Sequence, residues 1–440
     1  MRALLGLAMT HVIVSMMASL FATSAVAQSM FPGDPAHSGV ATSAAPRQLP
    51  RVKWSFPTGD RIVASPVYAD GLVYIGSDDG NVYAVDATSG WQRWMQATGG
   101  PVAATPAVVD GRAYVGSYDG KFYAFNAKTG ALLWKFSTGG ERRFEAQGLH
   151  GMQPRQQTFA DPYDVFLSSP VVAQGAVFFG SGDGHLYALN ATTGELRWKF
   201  KTGDVVHASP AYAEGVLFVG SWDAKLYAVD AATGRELWQY QAGVDPLLHN
   251  QVGFQSSAAV AEGVVYVGGR DSKLHAVDAR TGRRLWQFAT GMSWVVSSPA
   301  VSRGRVIFGT SDSSLLHMLD TKSGAPLVKQ QDKAYMFSSP TVAGDVVLIG
   351  VLNGTLQARD FQSGELLWSF RTEASLANRG WALTADGRLN SALLYPSGWR
   401  EATAVGAARQ DSVGSIYSTP LVVGGAVFIG SADGRLYALE

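Results

Sequence analysis

The side chains with the greatest chemical potential lie in three stretches that interrupt an otherwise repetitive sequence: 140–167, 244–255 and 371–416. Within the first stretch, residues 141–165 are dense in groups that could anchor a polar ligand. They are Arg142, Arg143, His150, Arg155, Asp161 and Asp164. The second stretch supplies His249, Asn250 and Gln251. Imidazole, guanidinium, carboxylate and amide groups so concentrated predict the polar anchors of a binding site.

Aromatic and polar residues at comparable positions of the regular sequence extend this set. His207 stands just before a predicted strand, and Trp222 and Arg270 lie beside predicted turns. Trp294 and Tyr417 occupy positions like that of His207. We expect these residues to line one pocket with aromatic walls. The alternative for each residue is that it bonds loop backbone and fills a lid.

The regular sequence is a repeat of about 40 residues. Eight units can be indexed by one position of their first strand, at Pro66, Pro106, Pro170, Pro210, Ala258, Pro299, Pro340 and Pro420. Each unit reads as four short strands separated by Gly-containing turns, which predicts an all-β, eight-bladed β-propeller of four-stranded antiparallel blades. One Asp recurs in the turn between the second and third strands, and we interpret it as a turn residue. These aspartates are Asp79, Asp119, Asp183, Asp223, Asp271, Asp312 and Asp433.

The two ends of the repeat region complement each other. The last unit stops at Glu440 without a fourth strand, and a lone strand with Trp54 precedes the first unit. The N-terminal strand should therefore complete the last blade. The fourth-strand positions are Trp54, Trp94, Trp134, Trp198, Trp238, Trp286, Val328 and Trp368. Because Val328 replaces the bulky ring, we expect weaker packing at that blade.

The three interrupting stretches all fall between a fourth strand and the next first strand. In a propeller these connections share one face, together with the turns between second and third strands. Insertions on one face of a repeat protein are typical of a binding face. For the stretch 371–416 we expect a lid or side excursion, and a ninth blade is the alternative.

Composition excludes several classes of chemistry. The chain has no Cys, so disulfides, thiolate metal sites, Cys nucleophiles, covalent haem and lipid attachment at an N-terminal Cys are excluded. Lys+Arg and Asp+Glu both number 35, which disfavours nucleic-acid binding. No hydrolase motif such as G-x-S-x-G or H-E-x-x-H appears, although hydrolase residues could be scattered in a propeller.

The first 27 residues differ from the rest. Arg2 is their only charged residue, an apolar run follows, and Ala25-Val26-Ala27 offers a small-residue cleavage site. This pattern predicts a secretory signal peptide cleaved after Ala27, with an uncleaved membrane anchor as the alternative. Residues 28–50 read as a linker before the propeller of 51–440. We therefore expect an exported, periplasmic monomer without a membrane span after cleavage.

A recurring motif carries a family resemblance. Residues 84–94, AVDATSGWQRW, have Ala first, Asp third, Gly seventh and Trp eleventh, and this frame recurs at 228–238, 276–286 and 358–368. With Asn in place of Asp it also occurs at 124–134 and 188–198. The frame resembles the tryptophan-docking motif of eight-bladed propellers of the pyrroloquinoline-quinone (PQQ) type. That family includes PQQ-dependent alcohol dehydrogenases, the outer-membrane assembly lipoprotein BamB and many binding propellers.

Two functions follow from the resemblance. The first is a binding or scaffolding propeller whose insert-bearing channel face takes a periplasmic protein, peptide or small molecule. The second is a dehydrogenase for an alcohol or sugar, for which the resemblance implies PQQ, Ca²⁺, Asp161 or Asp164 as base, and Arg155 or Arg270 near the quinone. The vicinal Cys pair common among those enzymes is impossible here, no haem motif is present, and their metal ligands cannot be mapped onto this chain. The sequence thus favours the binding propeller.

Overall fold

The computed structural model describes residues 28–244, 252–378, 380–395 and 399–440. Eight four-stranded antiparallel sheets follow one another along the chain, which confirms the predicted eight-bladed propeller. A further two-stranded sheet lies in the first insert. The last blade contains the first strand of the chain, so the ring is closed as predicted.

The strands are assigned to blades as follows. The lone first strand is β1 (Val52–Pro57), and blade 1 comprises β2 (Val67–Ala69), β3 (Leu72–Gly76), β4 (Asn81–Asp86) and β5 (Gln92–Ala97). Blade 2 comprises β6 (Ala107–Val109), β7 (Arg112–Ser117), β8 (Lys121–Asn126) and β9 (Leu132–Ser137), and the first insert holds β10 (Glu145–Gln147), a 3₁₀ turn (Leu149–Gly151) and β11 (Thr158–Ala160). Blade 3 comprises β12 (Val171–Ala173), β13 (Ala176–Gly180), β14 (His185–Asn190) and β15 (Leu196–Lys201). Blade 4 comprises β16 (Ala211–Ala213), β17 (Val216–Gly220), β18 (Lys225–Asp230) and β19 (Glu236–Gln241).

The second half of the ring continues in the same way. Blade 5 comprises β20 (Ala259–Ala261), β21 (Val264–Gly269), β22 (Lys273–Asp278) and β23 (Arg284–Ala289), and blade 6 comprises β24 (Ala300–Ser302), β25 (Arg305–Gly309), β26 (Leu315–Asp320) and β27 (Pro326–Gln331). Blade 7 comprises β28 (Thr341–Ala343), β29 (Val346–Val351), β30 (Thr355–Asp360) and β31 (Leu366–Arg371). The described part of the third insert holds three helices, α1 (Glu373–Ala377), α2 (Ser391–Leu394) and α3 (Trp399–Asp411). Blade 8 comprises β32 (Leu421–Val423), β33 (Ala426–Gly430), β34 (Arg435–Leu439) and β1.

Burial along a blade follows from its place between two neighbours. The third strands, such as β18, are buried at their four central positions because adjacent blades cover both faces. The outermost strands, such as β19, alternate between exposed and half-buried residues because one face of them meets solvent. The apolar run of a third strand and the alternating pattern of a fourth strand therefore both follow from the position of the strand within the blade.

Neighbouring blades are joined through the docking motif. The ring of Trp94 lies against Gly130 of blade 2, where a Cβ atom would come within 2.8 Å of the ring. Its indole N–H donates a hydrogen bond of 2.8 Å to the carbonyl of Ala127. Gly130 also has φ of +75°, a conformation that costs little only for glycine. The motif therefore pairs a Gly of one blade with the Trp of the preceding blade.

The recurrent turn aspartates also connect blades. Asp79 accepts hydrogen bonds from the Asn81 N–H in its own turn, from the Tyr83 hydroxyl, and from the Gly59 N–H of the preceding connection. Asp312 was predicted in this register, but that prediction was wrong. His317 occupies the strand position of Tyr83, which places Ser313 in the register of Asp79 and Asp312 one residue earlier. The turn of blade 6 is one residue longer than that of blade 1, since Gly309 pairs with Leu316 whereas Gly76 pairs with Val82. Because Ser and Asp have similar turn preferences, the sequence does not show where the extra residue lies.

Residues 28–50, predicted as a linker, pack closely against the innermost strands. The N–H groups of Tyr68, Val108, Tyr212 and Val301 in four different blades donate to carbonyls of this segment. Val40 forms a parallel bridge with Val342 of blade 7. The segment thus covers the end of the channel opposite the inserts.

Candidate functional site

The first and third inserts together cover one end of the channel, and we call residues 140–167 and 371–416 the cap. The two inserts meet at Tyr163 and Tyr395, whose hydroxyls are 3.1 Å apart. Helix α3 contacts the 3₁₀ turn of the first insert. The stretch 371–416, for which a lid and a ninth blade were the alternatives, thus forms helices over the described part.

His207 fixes the first insert to blade 4. Its imidazole lies between two carboxylates, with Nδ1 2.8 Å from Asp164 and Nε2 3.4 Å from Glu141. The side chains of His207 and Asp164 are both buried. Burial alone would lower the pKa of His207. Asp164 and, to a smaller extent, Glu141 outweigh burial and raise the pKa to about 9. His207 is therefore a cation at neutral pH, and it holds the insert by charge-assisted hydrogen bonds.

A second buried cluster is centred on Arg270. Its guanidinium is 3.0 Å from Asp161 and donates to the Gln255 amide oxygen. The rings of Trp222 and Trp294 lie on it, with centroids 4.8 and 4.1 Å from its central carbon. Two aromatic faces and a carboxylate around one guanidinium leave no room for a ligand against it.

Asp161 connects this cluster to the first insert. Its carboxylate is also 2.9 Å from Nε2 of His150, and it accepts a hydrogen bond from the Tyr163 N–H. Burial raises the pKa of Asp161, but Arg270 and His150 outweigh burial and bring the pKa well below its usual range. Asp161 is thus an ionised structural anion enclosed by protein.

Tyr417 belongs to a third cluster, which the sequence did not indicate. Its hydroxyl donates to Asp411 of α3 at 2.7 Å, and Asp411 pairs with Arg61 at 2.6 Å. Arg61 also pairs with Asp78 at 2.5 Å. Burial raises the pKa of both carboxyl groups, against the opposing effect of Arg61. This cluster fixes the third insert to blade 1.

The channel between the two covers is lined by a belt of hydroxyl side chains. The belt consists of Ser65, Thr105, Ser169, Ser209, Ser257, Ser298, Ser339 and Thr419. Backbone N–H groups of one blade donate to the hydroxyl of the next, as from Ser169 to Ser209 at 2.9 Å. The cavity inside the belt measures about 30 Å³, which is room for about two water molecules. The described residues therefore leave little free volume at the level of the belt.

The predicted site residues divide into three groups in the structure. His150, Asp161, Asp164, His207, Trp222, Arg270, Trp294 and Tyr417 are buried among one another or among cap residues. Arg155 is exposed at the outer side of the first insert. His249, Asn250 and Gln251 lie outside the described residues. Most of the residues predicted to line a pocket are thus brought together in the structure, where they are buried against one another and against the cap.

Glu141, Gln255, Arg61 and Asp411 were missed as members of these clusters. The pairs that hold the inserts to the ring join remote segments: Glu141 is 66 residues from His207, and Asp411 is 350 residues from Arg61. No local spacing signals such pairs, because they form only when the insert folds back onto the ring. The face predicted for the second-to-third turns is the one observed, as Trp222 and Arg270 contact the first insert or its neighbours there.

The PQQ and Ca²⁺ that the resemblance implies do not fit the described residues. A cofactor pocket usually measures about 300–1,000 Å³, far above the 30 Å³ on this axis. Asp161 and Asp164, the two candidate bases, are buried and held by Arg270, His150 and His207. Within the described ranges, no group of three or more His, Asp or Glu side chains is placed to hold a metal ion.

Comparison with known proteins identifies relatives over the whole propeller. The family model described as outer membrane protein assembly factor BamB matches residues 40–162, 151–293 and 270–440. Two curated proteins of that name match shorter parts. The one from Moranella endobia (strain PCIT) is 26% identical over 161 residues, and the one from Yersinia pestis is 27% identical over 165 residues. These alignments cover 33% and 34% of this chain and 42% of each relative.

Solved structures show the same fold. BamB from Moraxella catarrhalis superposes with a TM-score of 0.64 at 15% identity, over 89% of this chain and all of that one. A europium-containing methanol dehydrogenase superposes with a TM-score of 0.68 at 14% identity, over 94% and 97% of the two chains. A quinohemoprotein alcohol dehydrogenase from Comamonas testosteroni gives 0.68 at 15%, over 94% and 80%. At these identities the similarity shows the fold alone.

The described ranges contain no helix with the length and hydropathy that a membrane span requires.

Proposed function

This chain belongs to the family described as outer membrane protein assembly factor BamB, and we propose that it is a protein-binding scaffold of the cell envelope. In this proposal it is exported to the periplasm, with cleavage after Ala27, and takes part in the assembly of outer membrane proteins. Its partner docks on the outer surface of the cap. The function is non-catalytic, and the propeller serves to hold the cap rigid.

The observation that carries the proposal is the apolar surface of the third insert. Leu376, Trp381, Leu393 and Val405 lie on this one insert, and each is about half exposed. Beneath them a small core of Ala382, Leu383, Leu394 and Val413 is buried. Large apolar side chains held on an ordered base are the usual anchors of protein interfaces, and Trp contributes most among them.

The closed interior supports the same function. The charged groups under the cap are already paired, so they offer little to a ligand in the channel. In these pairs they instead hold both inserts to blades 1, 4 and 5, and the pairs at blades 4 and 5 are fully buried. A surface held in this way binds a partner without a large loss of loop entropy.

The test is co-purification from membranes of the native host with the tagged full-length protein. We expect wild type to recover proteins of the outer membrane assembly machinery. The variant L376E/W381E should recover at least about tenfold less, because a desolvated aromatic anchor contributes about 2 kcal/mol or more. The matched control L132E/L133E changes two exposed leucines on strand β9, away from the cap, and should recover wild-type amounts.

Equal recovery by L376E/W381E and wild type would contradict docking at the cap. Recovery of no assembly protein by wild type would contradict the assembly function itself. For the dehydrogenase alternative, PQQ and Ca²⁺ are titrated into the purified protein by calorimetry, and dye-linked alcohol oxidation is measured in parallel. Micromolar binding with turnover would replace the scaffold function. Export is checked by sequencing the N-terminus of the mature protein, which should be Gln28.

A further inference from the structure

A cleft of about 370 Å³ opens between blades 6 and 7. It is more than ten times larger than the cavity on the channel axis. Strand β27 of blade 6 forms one wall, and strands β30 and β31 of blade 7 form the other. Its size is that of a site for a small organic molecule. The cleft is separate from the His207, Arg270 and Tyr417 clusters, although the third insert borders it at Arg371 and at Gly387.

The cleft exists because this junction lacks the rings that fill the others. Between blades 3 and 4, the ring of Trp198 covers Gly234, and Phe200 packs on Tyr227 with centroids 5.3 Å apart. Between blades 6 and 7 the three aromatic positions are instead taken by smaller or polar residues: Val328, Gln330 and Gln357. Gln330 and Gln357 line the cleft, so the rings missing at these two positions account for its volume.

The replacements turn an apolar junction into a polar lining. Arg359 stands where the other third strands carry an aliphatic or aromatic residue, and it pairs with Asp332 at 2.8 Å. Its Nε donates to the Gln357 amide oxygen at 2.9 Å. The side chains of Arg359 and Asp332 are only 6% and 3% exposed. This arrangement fixes planar hydrogen-bonding groups along one wall.

Asn353 supplies a buried acceptor that no group of the described residues satisfies. It occupies the register of the recurrent turn Asp, and it is 3% exposed. Its amide nitrogen donates to the Gly387 carbonyl at 3.0 Å, whereas its Oδ1 has no hydrogen-bond partner. A buried acceptor without a donor is costly, so this atom is suited to a donor from a molecule in the cleft.

We propose that this cleft is a binding site for a neutral saccharide of one or two rings. Amide, hydroxyl, guanidinium and carboxylate groups line it, from Gln331, Asn353, Thr355, Gln357, Arg359, Ser369 and Asp332. A sugar hydroxyl is both donor and acceptor, so it can match this mixture of groups. Vicinal hydroxyls in particular suit the paired atoms of an amide or a carboxylate.

The charges that line the cleft are close to balanced, which does not favour an anionic ligand. Arg359 is neutralised by Asp332, and both the guanidinium of Arg371 and the carboxylate of Glu365 also line the cleft. Lys333 donates from its ammonium to the Asp386 carbonyl and lies at the edge. A phosphate would therefore meet two carboxylates besides the cations. An apolar ligand would leave the polar lining without partners, which is costly.

The experiment uses the full-length protein with glucose, maltose, N-acetylglucosamine and inorganic phosphate as probes. Binding is followed by saturation-transfer NMR and calorimetry. We expect at least one saccharide to bind with a Kd of about 1 mM or lower, and phosphate not to bind. The variant Q330F/Q357Y restores two of the ring positions and fills the cleft. It should weaken saccharide binding at least about tenfold, since a factor of ten corresponds to the loss of about one hydrogen-bonded contact.

Two further variants make the outcome specific to this cleft. N353A removes the unpartnered acceptor and should weaken binding several-fold. Q96F is the matched control, because Gln96 stands at the same fourth-strand position in blade 1, two residues after Trp94. It should leave binding unchanged, and circular dichroism should show that all variants are folded. Binding of no saccharide at 10 mM, binding of phosphate instead, or unchanged saccharide binding by folded Q330F/Q357Y would each overturn the proposal.

Discussion

Blades 1 and 2 are joined by an aromatic ring, whereas blades 6 and 7 are joined by guanidinium groups. In the first junction, Trp94 covers Gly130 and donates to the Ala127 carbonyl. In the second, Arg305 donates to the equivalent carbonyl, that of Phe361, at 3.0 Å. Arg303 lies over the Phe361 ring at 3.6 Å.

The comparison separates two tasks that one Trp performs together. The carbonyl at the end of each third strand needs a donor, and the gap between blades needs apolar volume. Arg305 meets the first need but not the second, and a cleft remains at this junction beside Gln330, two residues after Val328. The blade 6–7 junction therefore keeps its register while it gives up apolar contact. The weaker packing expected from Val328 stays a prediction, which the variant V328A tests.

The largest difference should appear on truncation of the two equivalent residues. W94A should lower the free energy of unfolding by about 4 kcal/mol, because it removes a buried ring and leaves a cavity. V328A should cost only about 1.5 kcal/mol, the value of two methyl groups. Urea unfolding followed by tryptophan fluorescence and circular dichroism measures both. Equal losses would show that the two junctions do not differ in apolar contact.

The contribution of the His207 ion pairs to the free energy of unfolding should depend on pH, whereas the contribution of the Trp94 ring should not. The pKa of His207 is raised from 6.5 to about 9 in the folded protein. Its contribution is therefore fully present below pH 6.5 and is lost as pH rises through about 9, a loss of about 3 kcal/mol.

The measurement is urea unfolding of wild type and H207Q at pH 6 and pH 10. We expect the difference between them to shrink at the higher pH. The difference between W94A and wild type should stay constant, because no titrating group is involved. A constant gap for H207Q would contradict the ionic closure of the cap.

Removal of the substitute donor gives the third test. R305A should cost about 2 kcal/mol, because the Phe361 and Gln362 carbonyls lose a charged donor. Arg112 begins the second strand of blade 2 as Arg305 does in blade 6, but there Trp134 donates to the next blade. R112A should therefore cost less than about 1 kcal/mol. Thermal and urea unfolding of the pair check this, and the reverse order would show that Arg305 is not the substitute.

The smallest effect should come from restoring the ring. V328W places an indole against Gly364, which has φ of +71° like the other motif glycines. We expect a gain of about 1 kcal/mol, below the full value of a buried Trp because the neighbouring wall is polar. Differential scanning calorimetry of V328W, with wild type as reference, measures it. A clear loss of stability would mean that the cleft cannot accept the ring.

The sequence by itself determined the fold, the ring closure and the position of the junction that lacks a Trp, between blades 6 and 7. A repeat states the same local pattern eight times, and strand alternation, turn glycines and Trp spacing are all readable within about 40 residues. The missing Trp at Val328 was visible in the same way. One register failed, that of Asp312, because Ser and Asp share turn preferences and only strand pairing distinguishes them.

Only the tertiary structure decided what the polar inserts do. The sequence collected His150, Asp161, His207 and Arg270, and it left open whether they bind a ligand or fill a lid. Folding brings Asp161 to Arg270 and Asp164 to His207 and removes water from both pairs. Whether ionisable groups face a ligand or each other depends on distances between remote segments and on desolvation. Neither these distances nor the extent of desolvation follows from the spacing of neighbouring residues, so the sequence alone does not predict them.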